Sequence, residues 1–230
     1  MMPEAAAGRA VEPRRPLALV FWAVLAGLQI AATFSLADPD RVEEEPPIYE
    51  WSTAANALIV YGLLVLLTFG IASMYPSARQ ALGLRRFDPR YLWHAAGVVV
   101  VSIVVAAVLE PILHAGEKQG IAPQEWRPDD LAPFLVNAVL IATWGPFAEE
   151  LFYRGLGVTA LGMFGPAVAI AGTALAFGFA HGLLVALPPL IVFGLGLAWV
   201  RVLSDSVWPG FIAHAGYNAI GIAISVATSM

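Results

Sequence analysis

The chain has 230 residues, 59% of them hydrophobic and 13% charged, with a formal net charge of −5 and no cysteine. Soluble domains carry roughly 25% charged residues, so this composition excludes an ordinary water-soluble domain and fits one membrane-embedded bundle. The lack of cysteine excludes disulfides, thiolate zinc sites and a cysteine nucleophile. No basic stripe interleaved with aromatics is present, which argues against nucleic acid as a partner.

Residues 1–16 hold Arg9, Arg14, Arg15 and three prolines, and are expected to form a disordered cytoplasmic tail ahead of one transmembrane bundle over 17–230. A helix that crosses a hydrocarbon core needs about 20 predominantly apolar residues. Apolar runs of that kind are predicted near Leu17–Ala37, Ala54–Tyr75, Tyr91–Leu109, Leu131–Met163, Pro166–Leu184, Pro188–Leu203 and Val207–Thr228. The first ends in "SLADPD" and could imitate a signal peptide. Its apolar region is too long for one and further spans follow, so an uncleaved first helix is expected. Arg79, Arg85, Arg86 and Arg90 follow the second run. With the arginines ahead of the first run, they assign those segments to the cytoplasm and the acidic stretch Asp38–Glu50 to the outside. The expected fold is therefore all-α, a polytopic transmembrane bundle of about seven to eight helices. The expected location is a bacterial cytoplasmic membrane, with the N-terminus inside.

The overlong fourth run is interrupted at Trp144-Gly145-Pro146. Proline lacks an N–H, so a second helical piece is predicted to start at Pro146. Backbone groups freed at such a break are tolerated only beside protein or a water-filled cavity. Just beyond it, "EELFYR" carries Glu149, Glu150 and Arg154, the formal charges between Leu131 and Val200. Charges at membrane depth cost about 2.5–3.5 kcal/mol on insertion scales, and such residues face a protein interior and mark function. Glu150 and Arg154 are i,i+4 with the acid N-terminal, the favourable order for an ion pair. Glu149 points about 100° away on a helix and is left without that partner.

A turn is predicted at Met163-Phe164-Gly165-Pro166, between Glu149 and the His181 of "FGFAHG". Two antiparallel helices leaving that turn bring Glu149 and His181 to similar heights, roughly 22–24 Å along their axes. Phe177, one turn before His181, can wall the same pocket or simply pack. In the last run, His214 and Asn218 of "HAGYN" are i,i+4 and share a face. Either histidine taken alone fits a packing or interhelical role. Glutamate, two histidines and an asparagine inside one small bundle point to chemistry.

"EELFYR", "FGFAH" and "HAGYN" resemble the three motifs of the CPBP family of intramembrane proteases, which includes the CAAX prenyl endopeptidases. The pattern is Glu-Glu-x-x-x-Arg, then Phe-x-x-x-His, then His-x-x-x-Asn, filled here in order over about residues 130–225. The first three spans carry no part of it. The resemblance implies an intramembrane endopeptidase acting on a peptide or membrane-anchored protein in a lipid environment. It implies catalytic roles for Glu149, His181, His214 and Asn218, with Glu150, Arg154 and Phe177 supporting them. Glu149 is then the general base, His181 orients the water or shares its proton, and His214 and Asn218 donate to the oxyanion.

Glu149, His181 and His214 with a water are also a donor set from which a catalytic Zn²⁺ site, or one for another divalent metal, can be built. His-Glu-x-x-His is absent and asparagine is a poor zinc ligand, so metal-bound and metal-free glutamate mechanisms both stay open. Two other classes compete. A non-catalytic scaffold, immunity factor or transport accessory would keep the fold without turnover. A small transporter would use the same residues as a proton relay, although no paired inverted repeat of broken helices is visible. No Gly-x-Ser-x-Gly stands near a histidine partner, which disfavours a serine protease.

Overall fold

The computed structural model describes residues 14–36, 47–115 and 126–229. Most of the expected tail, and most of the acidic stretch Asp38–Glu50, lie outside the described residues. Apolar runs become helices because a helix satisfies its own backbone, and in lipid nothing else can. Eight helices follow in chain order: α1 Arg14–Leu36, α2 Trp51–Ala72, the short α3 Ala78–Ala81 and α4 Tyr91–Leu113. The long α5 covers Pro128–Phe164, and α6 Pro166–Ala180, α7 Leu187–Ser204 and α8 Trp208–Ser229 complete the bundle. All but α3 and α6 are long and apolar enough to cross a membrane. The described residues contain no strand. The chain is an all-α, multi-pass integral membrane protein.

The helices wear their apolar side chains outward, as lipid-facing helices do. Leu66, Val108, Ile112 and Trp93 are among the most exposed side chains. The buried core lies where α5 runs between its neighbours and includes Leu151, Phe152, Leu156, Phe177 and Leu197. Charge is buried in the same place, with Glu150 at 1% and Arg154 at 0% exposure.

Two departures from the sequence expectations position the site. First, Pro146 does not break α5. The helix runs on through it, with π-helical turns at Leu140–Trp144 and Glu150–Gly157. The Gly145 N–H bonds back to the Leu140 carbonyl, five residues earlier. The next donor in that ladder would be Pro146, which has none, so the Ile141 carbonyl needs a partner from elsewhere. π-Helical turns gather at functional sites, and here they bracket Glu149.

Second, α6 is fifteen residues long, ending at Ala180 rather than Leu184. At 1.5 Å per residue it reaches about 22 Å, short of a hydrocarbon core of about 30 Å. Its C-terminal end therefore sits inside the bundle. Thr33 on α1 donates to the Ala180 carbonyl there at 3.1 Å. Trp22 of α1 packs into the interior beside α5. It is 5% exposed, and its indole Nε1 donates to the Phe152 carbonyl in the second π segment at 3.1 Å.

Candidate active site

Glu149 and Glu150 are neighbours on α5 and meet different surroundings. The Glu150 carboxylate is fully buried, and its Oε1 lies 3.1 Å from Arg154 Nη1, the ion pair expected from the i,i+4 spacing. The same oxygen accepts from His214 Nδ1 on α8, also at 3.1 Å. Glu150 is thus a hub, joining its own helix to the histidine of another. Arg154 is held from the far side as well. Its Nη2 donates to the Gly194 carbonyl of α7 at 3.4 Å, and its guanidinium lies 4.2 Å over the Phe177 ring.

Glu149 is 15% exposed in its side chain, the more accessible of the two acids. The Tyr61 hydroxyl of α2 donates to Glu149 Oε1 at 3.2 Å. Glu149 Oε2 lies 3.7 Å from His214 Nε2, too long for a direct hydrogen bond and close enough for one water to bond both. A carboxylate can only accept, so Glu150 fixes the proton on His214 Nδ1 and turns Nε2 towards Glu149.

His181 caps the end of α6. Its Nδ1 donates to the Phe177 carbonyl at 2.8 Å, which leaves Nε2 as the open nitrogen of the ring. Phe177 is the shared surface, its ring centroid 4.6 Å from that of His181 and 5.6 Å from that of His214. The described contacts do not join His181 directly to Glu149 or His214. His214, rather than His181, is the histidine against the glutamates.

Asn218 Nδ2 donates to the Ile141 carbonyl at 2.9 Å. This is the carbonyl that Pro146 leaves without a donor, so Asn218 seals the first π segment and docks α8 on α5. One amide hydrogen and the side-chain oxygen remain for other partners.

Tyr61 was not singled out in the sequence. It sits among Leu58, Ile59, Val60 and Leu63 in α2, and an aromatic in an apolar run carries no signal of its own. Removing its hydroxyl is expected to take one charge-assisted hydrogen bond from Glu149. Tyr61→Phe should lower turnover about tenfold with the melting temperature near wild type, read by peptidase rate and detergent melting.

Gly210 marks where α8 approaches Glu150. A Cβ there would come within 2.8 Å of Glu150 Oε2. Gly210→Ala is expected to push that carboxylate off His214, costing about 1–3 kcal/mol by overpacking. A lowered melting temperature together with reduced turnover checks it. Gly216 and Gly221 have open space beside them, so close helix approach is confined to Gly210 among these three.

As for a metal, no group of three or more His, Asp or Glu stands close enough to hold an ion among the described residues. Glu149 and His214 form a pair, and His181 faces Phe177. This arrangement does not fit a three-ligand zinc site.

Residues 131–220 match the family model described as Rce1-like, type II CAAX prenyl endopeptidase Rce1-like. The match covers less than half of the chain. It nevertheless includes every site residue on α5, α6 and α8 and leaves Tyr61 outside. The family likeness read from the three motifs is borne out over that segment. No curated protein and no solved structure matches the chain.

Proposed function

We propose that this chain is an intramembrane endopeptidase in which Glu149 activates a water to hydrolyse a peptide bond of a membrane-associated substrate. One observation carries the reading: Glu150 holds His214 so that Nε2 faces the Glu149 carboxylate across 3.7 Å. A second, paired acid fixes the imidazole, and the accessible acid is left for chemistry. The match of residues 131–220 to the prenyl-endopeptidase family supports the same reaction class.

The steps use these residues alone. A water bonded to Glu149 Oε2 and lying beside His214 gives up its proton to Glu149 as its oxygen attacks the scissile carbonyl. The oxyanion role of His214 belongs to its doubly protonated form, with Nδ1–H on Glu150. In that state Nε2–H is a donor, aimed at where the oxyanion develops. Collapse of the tetrahedral intermediate breaks the C–N bond, and the proton held by Glu149 passes to the leaving amine. Arg154 pairs with Glu150, and Asn218 keeps α8 seated on α5. His181, with Nε2 open at the end of α6, takes the role of orienting the water or the substrate carbonyl in this reading.

The bundle is oriented with its N-terminus in the cytoplasm, on the strength of the arginines around the first two spans. The test compares newly formed protein termini in membranes from cells expressing wild type or Glu149→Gln protein. Termini that arise only with wild type, and persist when a chelator is added to purified protein and substrate, support the reading. Matching profiles at equal expression would overturn it.

A further inference from the structure

Helix α1 carries no part of the three motifs, yet one stripe of it is built against the site. Trp22, Ala26, Gln29 and Thr33 follow one another at helical spacing, and Trp22 and Ala26 are buried. Trp22 donates to the Phe152 carbonyl and Thr33 to the Ala180 carbonyl, so the stripe runs from the second π segment of α5 to the end of α6. The turn that leaves α6 also rests on Thr33. Gly182 has φ +70 there, and a Cβ on it would collide with Thr33 Cγ2.

Gln29 stands one turn before Thr33 on this stripe. The Tyr153 hydroxyl of α5 donates to Gln29 Oε1 at 3.2 Å. Tyr153 meets Phe177 edge-on with ring centroids 5.6 Å apart, and Phe177 in turn carries His181. The same hydroxyl lies within electrostatic reach of Glu149. Through Tyr153, Gln29 joins the neighbourhood of Glu149, Phe177 and His181. A carboxamide can make four hydrogen bonds, two as donor and two as acceptor. That of Gln29 makes one among the described residues. Its nitrogen has no partner there and is not enclosed by its neighbours. From Arg15 to Gln29 the helix rises about 21 Å, which puts the group at hydrocarbon depth. A donor without an acceptor is costly at that depth, and a ligand that brings one removes the cost.

We infer that Gln29 is a substrate-binding residue, whose carboxamide pairs with a backbone peptide unit of the substrate beside the scissile bond. The inference rests on the proteolytic reading given above. A peptide unit presents one N–H and one C=O, and a carboxamide presents the matching acceptor and donor. A peptide held open for cleavage has given up its own helical hydrogen bonds, and lipid offers nothing in their place. Gln29 supplies partners for one such unit. Pairing of this kind is indifferent to side-chain identity and suits an extended segment.

The experiment measures kcat and KM of the purified full chain on a peptide substrate identified from its new termini, for wild type, Gln29→Met and Tyr153→Phe. Gln29→Met keeps the length of the side chain and removes both halves of the carboxamide. Its KM should rise about tenfold with kcat within about twofold, as the loss of one or two hydrogen bonds predicts. Tyr153→Phe removes only the bond to Gln29, and its KM should stay at the wild-type value. Equal rises in both variants, or no rise in Gln29→Met, overturn the inference, because the carboxamide then serves Tyr153 alone. A photoreactive residue in place of Gln29 in Glu149→Gln protein gives a second readout. It should crosslink the substrate, whereas one in place of the outward-facing Leu28 should not. No crosslink from position 29 overturns the inference even where Gln29→Met melts below wild type. A wild type that cleaves nothing overturns the proteolytic reading and this inference together, whereas cleavage with KM unchanged in Gln29→Met overturns this inference alone.

Discussion

Glu149→Gln protein is expected to insert, to melt within a few degrees of wild type, and to lose turnover by at least about 10²–10⁴-fold. The glutamine is isosteric and keeps an oxygen for the Tyr61 hydroxyl. It cannot take a proton from water. Loss of rate without loss of fold therefore isolates the base. The paired measurement is a melting curve in detergent beside the peptidase rate on a substrate identified from its new termini. Retained activity would remove Glu149 from the chemistry and with it the mechanism. Glu150→Gln provides the contrast. That carboxylate makes no contact with the proposed water. Its loss should act through His214 and through Arg154, so rate and stability fall together.

The second large effect is expected at Arg154. Its side chain is wholly buried against Glu150, the Gly194 carbonyl and the Phe177 ring. Arg154→Met removes the counter-charge and leaves the Glu150 carboxylate at membrane depth with the His214 hydrogen bond but no guanidinium. Breaking a buried pair from one side costs about 3–5 kcal/mol, much more than the pair contributes when intact. The variant should express poorly or melt far below wild type. The double variant Glu150→Leu with Arg154→Met replaces both charges by apolar groups of similar size, and such replacements are often neutral or stabilising. Its melting temperature is expected to recover most of the loss. Its turnover is not, because His214 has lost the carboxylate that fixes its ring. Recovery of both would show that Glu150 serves packing alone. Recovery of neither would place the role of Arg154 in its contacts with Gly194 and Phe177.

Much of this protein was legible in the chain itself. Lipid allows no polar side chain to go unexplained, so Glu149, Glu150 and Arg154 stood out as the formal charges in the seventy residues from Leu131 to Val200. Spacing alone paired Glu150 with Arg154, because i,i+4 geometry is local and survives even the π-helical turns of α5. The spans were legible for the same reason: length and apolarity are properties of a segment, and the bilayer reads segments. Their ends moved by a few residues, most consequentially at Ala180.

The tertiary structure decided the rest, wherever a contact joins residues far apart in the chain. The turn count put His181 level with Glu149. Level is not contact, and α8 instead carries His214 against both glutamates, 64 residues from Glu150. Tyr61 reaches Glu149 across 88 residues from a helix with no motif. Pro146 looked like a break because its missing N–H is a local fact. The remedy is not local, since Asn218 supplies the lost donor from the last helix. Residue type and spacing fixed which groups were available for chemistry. Only the packing of α2, α6 and α8 around α5 determined which of them share a proton, since hydrogen bonds between helices depend on crossing positions that no single segment encodes.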